Sequence, residues 1–193
     1  EHGVRVRVIG AVFAQSAKTL EQLSRGSSYY SNWLVGHEDI AAICQANGWK
    51  PEIVRVGVHG ESESGDRKLD YIRSKQTSYR QRTDDLRRIY GIKSEILQVN
   101  IQTSAGHTRD ADSSLDDLAP PEAPLGVAEL PIRSDCARFA GPIFAYEHST
   151  DNLHLSCDGQ ADMGVTIQNV IYNELFSHGW TDWEVDRAVW FSD

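Results

Sequence analysis

Residues 52–65 read EIVRVGVHGESESG, and the change of character inside that stretch decides the fold. Ile53, Val54, Val56 and Val58 form an apolar run of strand length, which then stops at His59 and Gly60 and gives way to Glu61, Ser62, Glu63 and Ser64. A β-branched run that ends abruptly in glycine and polar groups reads as a buried strand whose carboxyl end opens onto a site. Gly60 permits close approach of the backbone, and polar groups gathered at such an end can donate to a developing oxyanion. The same residues also suit a plain polar loop after a buried strand.

Working outward, residues 4–13 (VRVRVIGAVF) alternate and then become continuously apolar, as a strand entering a buried sheet does. Residues 95–103 (EILQVNIQT) and 139–146 (FAGPIFAY) read as further strands. Between them lie helical patterns. In residues 29–48, Trp33, Leu34, Ile40, Ile43 and Cys44 recur at helical spacing before an Asn47-Gly48 stop. Residues 66–91 open on Asp66, a cap, and close on Gly91, with Leu69, Ile72, Tyr79, Leu86 and Ile89 as apolar positions. Residues 159–178 carry Met163, Val165, Ile167, Val170, Ile171, Leu175 and Phe176. Residues 107–124 read as a long surface loop of the kind that borders sites. Strands alternating with helices predict an α/β, three-layer, doubly wound and mostly parallel sheet.

The chain has 193 residues, 40% of them hydrophobic, which suits one globular domain. Its formal net charge of −9 argues against nucleic acid as the main partner. Asp70, Asp84 and Asp85 interleave with the Arg and Lys residues of 66–91, so that helix reads as a scaffold with a solvated outer face. Cys44, Cys136 and Cys157 have no metal-ligand spacing and leave room for a single Cys136–Cys157 bridge; no metal or cofactor is called for. No apolar stretch approaches membrane-spanning length, and the first residues lack the features of a secretory signal. Glu1 in place of Met and the abrupt run at 179–193, a terminal strand or linker to another module, read as the ends of a piece cut from something longer.

Residues 149–164 (STDNLHLSCDGQADMG) hold the second informative pattern, with Asp151 and His154 three positions apart after a strand and before a helix. In nucleophilic acyl transfer a His takes the proton of a Ser, while a carboxylate holds the imidazole in its useful tautomer. One loop supplies both groups here. Asp and Asn also punctuate ordinary turns, and a D-x-x-H pair on its own is a weak signal.

Taken together, the two segments resemble the SGNH-type hydrolases, in the branch of sialate O-acetylesterases and related bacterial and phage carbohydrate esterases. That branch carries a strand-end signature of roughly [QH]-G-E-[SN]-D; here it is His59, Gly60, Glu61, Ser62 and Glu63, with Glu63 replacing the Asp. Its last block, roughly D-x-x-H-L-[ST]-x-x-G, is matched by Asp151, His154, Leu155, Ser156 and Gly159. Residues 18–30 (KTLEQLSRGSSYY) resemble a third block, which opens on paired glycines; Ser16 and Ala17 stand there instead. The likeness covers residues 4–178 and implies a flavodoxin-like SGNH hydrolase fold. It also implies a serine esterase that removes O-acetyl or similar acyl groups from a carbohydrate, needing no cofactor. His154 and Asp151 would be catalytic, with His59, Gly60, Glu61, Ser62 and the amide of Ala17 at the oxyanion or substrate. A secreted or virion-associated setting is inferred from the family alone.

The family's nucleophile lies in a Gly-x-Ser block after its first strand, and no such block precedes Val4. Either the first strand and its serine belong to a companion chain or segment, or Ser16 is itself the nucleophile in a compressed block. The first reading leaves apolar sheet edges uncovered. Trp33, Trp180, Trp183 and Trp190 offer platforms for a sugar ring, although tryptophans serve more often in cores. A different class of function, a non-catalytic carbohydrate-binding or assembly domain on a degenerate esterase fold, fits the lack of a plain nucleophile.

Overall fold

The computed structural model describes residues 7–15, 18–60, 68–103, 122–131, 135–150 and 154–177. Within them the chain is α/β: a three-stranded parallel sheet with four α-helices. In chain order these are α1 (Ser28–Ala46), β1 (Val54–Val58), α2 (Lys68–Tyr90), β2 (Leu97–Gln102), α3 (Glu122–Glu129), β3 (Ala137–Pro142) and α4 (Cys157–Phe176). The sheet order is β1-β2-β3, with Val54 opposite Leu97 and Gln98 opposite Ala137. Among the described residues, no helix is long and apolar enough to cross a membrane.

Local chemistry sets the helix ends. The Ser27 hydroxyl accepts from the Tyr30 amide at 3.1 Å and caps α1, which closes at Gly48 in the left-handed region (φ +66°). α2 carries Asp70 in its first turn and Arg87 and Arg88 in its last, complementing the helix dipole, before Gly91 (φ +65°) ends it. The Ser156 hydroxyl caps α4 by accepting from the Gly159 amide at 3.0 Å.

The two faces of the sheet are unlike. On one, Val99, Ile101 and Ala140 pack with Ile143, Leu155 and Val170, joined by Val54, Leu97, Met163, Ile167 and Ile171, so α4 closes an apolar layer. On the other, Gln98 and Asn100 are buried and hydrogen-bonded to each other at 2.7 Å, next to Gly57 and Lys75. The helices α1, α2 and α3 cover that polar face. Its charges are satisfied by rings: the Arg82 guanidinium lies 4.8 Å from the Tyr30 ring and 4.7 Å from Trp33, and Arg55 lies 5.5 Å from Tyr79. Asp85 anchors the layer, taking Arg25 at 2.9 Å and the Tyr30 hydroxyl at 2.7 Å. Burial disfavours its charge, but those two hydrogen bonds outweigh it and hold the carboxyl below its ordinary value.

Several expectations need correction. Residues 7–15 form no strand: Val8 is 88% and Val12 89% exposed, because no neighbouring strand takes up their backbone groups. Arg7 instead lies over Trp49, and Phe13 packs on His37. The third predicted strand, 139–146, is shifted: β3 starts at Ala137 and ends at Pro142, which has no N–H to offer the ladder, and Ile143–Ala145 is a turn of 3-10 helix. The end of the predicted loop at 107–124 is instead the start of α3. α2 is not merely a scaffold with a wet face, since Lys75, Ser78, Thr83 and Asp85 are buried. All three cysteines are free, so the Cys136–Cys157 bridge is absent. Residues 179–193 lie outside the described residues.

Removing the Asp85 charge tests the polar layer. Asp85→Asn leaves Arg25 and Tyr30 with a weaker acceptor and should lower unfolding free energy by roughly 1.5–3 kcal/mol, read from the midpoint of urea denaturation. A change within experimental error would show that the layer does not depend on it.

Candidate active site

Because the three strands are parallel, their carboxyl ends open on one edge of the sheet. That edge collects the residues following β1, Thr103 after β2, and the turn that runs from β3 into α4. Open parallel sheets bind ligands at such an edge.

His59 and Gly60 lie just past β1. The Tyr71 hydroxyl donates to the His59 carbonyl at 2.7 Å, and the His59 ring stacks on Tyr71 with Nδ1 3.3 Å from that hydroxyl. His59 Nε2 lies 2.9 Å from the Lys18 carbonyl, which only accepts, so Nε2 carries the proton. Burial, helped by the charge of Lys75, lowers the His59 pKa to about 4, so the ring is neutral at physiological pH. His59 therefore tethers the chain two residues beyond Ser16 to the carboxyl edge. Gly60 is buried with φ +148°, and a β-carbon there would lie 2.7 Å from the Thr103 hydroxyl oxygen. Only glycine fits.

Thr103 is a residue that reading the sequence overlooked. It is 2% exposed, and its hydroxyl has no hydrogen-bond partner among the described residues. Its only sequence signal is its place at the end of the third apolar run.

The segment after Lys18 is pinned to α2. Thr19 and Gln22 exchange side-chain to backbone hydrogen bonds at 3.1 and 3.3 Å, Arg82 donates to the Leu23 carbonyl at 2.7 Å, and Leu20 is buried with Tyr71, Ala123 and Val127. Ser16 and Ala17 themselves lie outside the described residues.

The turn after β3 is equally constrained. His148 and Leu155 form an antiparallel bridge, the Ser149 amide donates to the His154 carbonyl at 2.7 Å, and the Ser156 amide donates to the Glu147 carbonyl at 3.0 Å. The Ser156 hydroxyl also donates to the Glu147 carboxylate at 2.6 Å. Leu155 is buried in the apolar layer. Gly159 packs so closely on the Glu147 carbonyl that a β-carbon would collide with backbone. These contacts account for the Leu, Ser and Gly of the D-x-x-H-L-S-x-x-G pattern as packing and capping. His154 is exposed on this turn. Asp151, Glu61 and Ser62 lie outside the described residues.

Two features lie elsewhere. A cavity of about 200 Å³ bounded by Lys75, Tyr79, Glu95, Gln98 and Cys136 sits at the amino-terminal half of β2 and the start of β3, away from the carboxyl edge. Trp33 is buried among Tyr30, Leu86 and Ile96 and is no sugar platform. Trp180, Trp183 and Trp190 are outside the described residues.

No family model matches the chain, and no curated protein or solved structure matches it either.

The buried histidines predict a pH dependence of stability. Burial also lowers His37, 3.0 Å from the Tyr90 hydroxyl, to about 4. In the unfolded chain both imidazoles protonate near ~6.5, so between there and about 4 the unfolded state binds more protons. Stability should be level above that window and fall as the pH drops through it. The melting temperature measured across the window checks this, and His59→Gln should flatten the decline; an equally steep decline in a His37→Phe/His59→Gln variant would refute it.

Proposed function

We propose that the chain is the greater part of a serine esterase that removes O-acetyl or similar acyl groups from a carbohydrate, with an SGNH-type hydrolase fold. The observation that carries the reading is the turn between β3 and α4. Its Leu155, Ser156 and Gly159 have structural duties, whereas His154 is held exposed at the carboxyl edge by a braced backbone. A rigid turn that presents an imidazole, with a carboxylate three residues before it in the sequence, is what acyl transfer requires.

In this reading a serine hydroxyl attacks the acyl carbonyl while neutral His154 takes its proton, and Asp151 stabilises the imidazolium. The tetrahedral oxyanion is met by amides at the strand ends, where Gly60 and the amide of Ala17 are candidates, with Glu61 and Ser62 beside the substrate. The imidazolium returns its proton to the departing sugar oxygen, leaving an acyl-enzyme. A water deprotonated by His154 then releases the acid. His59 is committed to the Lys18 carbonyl and positions the neighbouring chain. The nucleophile is Ser16, which the His59 tether keeps two residues from an anchored point at this edge, or a serine supplied by a companion segment.

Hydrolysis of p-nitrophenyl acetate and of an O-acetylated sugar tests the proposal. His154→Ala should lower kcat by roughly a thousandfold or more with an unchanged circular dichroism spectrum, and the wild-type rate should rise with pH as the imidazole loses its proton. A folded His154→Ala variant with the full rate would sink the assignment. Ser16→Ala separates the two sources of the nucleophile: loss of activity places it in this chain, and retention places it in a companion.

A further inference from the structure

The two edges of the sheet differ in a way that points to a partner. β3, at one edge, holds Gly141 at φ +116° and ends in Pro142, and its ladder with β2 shifts register between Asn100 and Gln102. Irregularities and prolines of this kind keep another strand from adding on. β1, at the other edge, has neither: its five residues Val-Arg-Val-Gly-Val pair with β2 in unbroken register from Val54 to Val58. The outward backbone groups of β1 have no neighbouring strand. Val56 and Val58 are 48% and 44% exposed on the apolar face, because α4 packs over β2 and β3. The strand's one charge does not guard the edge either, since Arg55 is folded away over Tyr79.

From this edge we infer that the chain self-associates by pairing β1 with β1 of a second copy, antiparallel about a two-fold axis through Val56. The argument rests on the strand's near-palindrome. In that register Val56 faces Val56 of the other copy, Val54 faces its Val58, and Arg55 faces its Gly57. Opposite residues of an antiparallel pair share a face. All six valines therefore join into one apolar strip, and the bulkiest side chain of the strand meets the position that has none. An isologous contact needs this kind of self-complementarity, in which each residue and its counterpart exchange roles. The two three-stranded sheets would become one of six strands. A parallel strand from a different polypeptide would also satisfy the edge, but it would not explain why Gly57 stands opposite Arg55.

The contact is small and joins two bodies of formal charge −9 each, so a weak dimer strengthened by salt is expected. Sedimentation analysis of the wild-type chain should show a monomer–dimer equilibrium with Kd on the order of 10 µM, tighter at higher NaCl. Val56→Lys sets two like charges face to face on the axis and should raise Kd at least about tenfold. Its melting temperature should not change, since Val56 is already half exposed. The register is read by cysteine crosslinking in a Cys136→Ser/Cys157→Ser background. Val56→Cys should oxidise to a disulfide-linked dimer, opposite residues being about 4.5–5.5 Å apart, whereas Val58→Cys should not. Overturning results are a wild-type chain that stays monomeric at high concentration and salt, whether or not another polypeptide adds to the edge, or crosslinking at position 58 as readily as at 56.

Discussion

The parallel alignment of β1, β2 and β3 is the constraint on which the rest of the molecule depends. It sends every strand's carboxyl end to one edge, so His59, Gly60, Thr103 and the turn bearing His154 are placed by topology and not by direct contact. It also forces a helix between successive strands, because a parallel neighbour cannot be reached by a tight turn. α2 makes that crossing between β1 and β2, and its inward residues then decide what fills the space under the sheet. A valine stripe there would have given two apolar layers. Instead Lys75, Thr83 and Asp85 turn inward and meet Gln98, Asn100 and the two arginines.

That division of labour has an energetic logic. The layer under α4 is built from Val, Ile, Leu and Ala and supplies the non-directional drive of apolar burial. The layer under α2 gains little from burial and much from geometry, since each polar group there must find a partner or lose hydration without return. Arg82 illustrates the point: its guanidinium bonds to the Leu23 carbonyl while lying against Tyr30 and Trp33, so one side chain fixes both the segment after Lys18 and the start of α1. The segment that precedes the first helix is thus oriented by a charge buried in the domain, and His59 completes the restraint at Lys18.

Much of this order was legible in the amino-acid sequence. β1, β2, α1, α2 and α4 follow directly from apolar runs and helical spacing with capping residues at their ends. The failures each have a physical cause. Residues 7–15 have a strand's alternation, but alternation needs a partner strand, and pairing is not a property of the segment alone. α3 contains Pro124 and Gly126, which argue against a helix. Pro124 nonetheless falls in the first turn, where its missing N–H costs nothing, and burial of Ala123 and Val127 against Tyr71 makes up the rest. The alternation of Arg55, Gln98 and Asn100 with valines suggests a face open to water, and only the fold reveals that α2 covers it. The orphan hydroxyl of Thr103 was invisible for the same reason.

The pattern D-x-x-H-L-S-x-x-G shows how a structure can sharpen a sequence motif without deciding its function. As a string, its five specified positions carry equal weight. In the folded chain three of them separate off: Leu155 fills the apolar layer, Ser156 caps α4 and braces Glu147, and Gly159 allows the helix to meet the Glu147 carbonyl. These three would be needed by any protein that joined a strand to a helix with this turn, whatever its activity. The structural half of the motif therefore speaks for the fold, and the weight of the functional argument shifts to the remaining pair. An exposed imidazole gains the domain little by packing, so the reason for His154 at this place must be sought in what it can do to a ligand at the carboxyl edge.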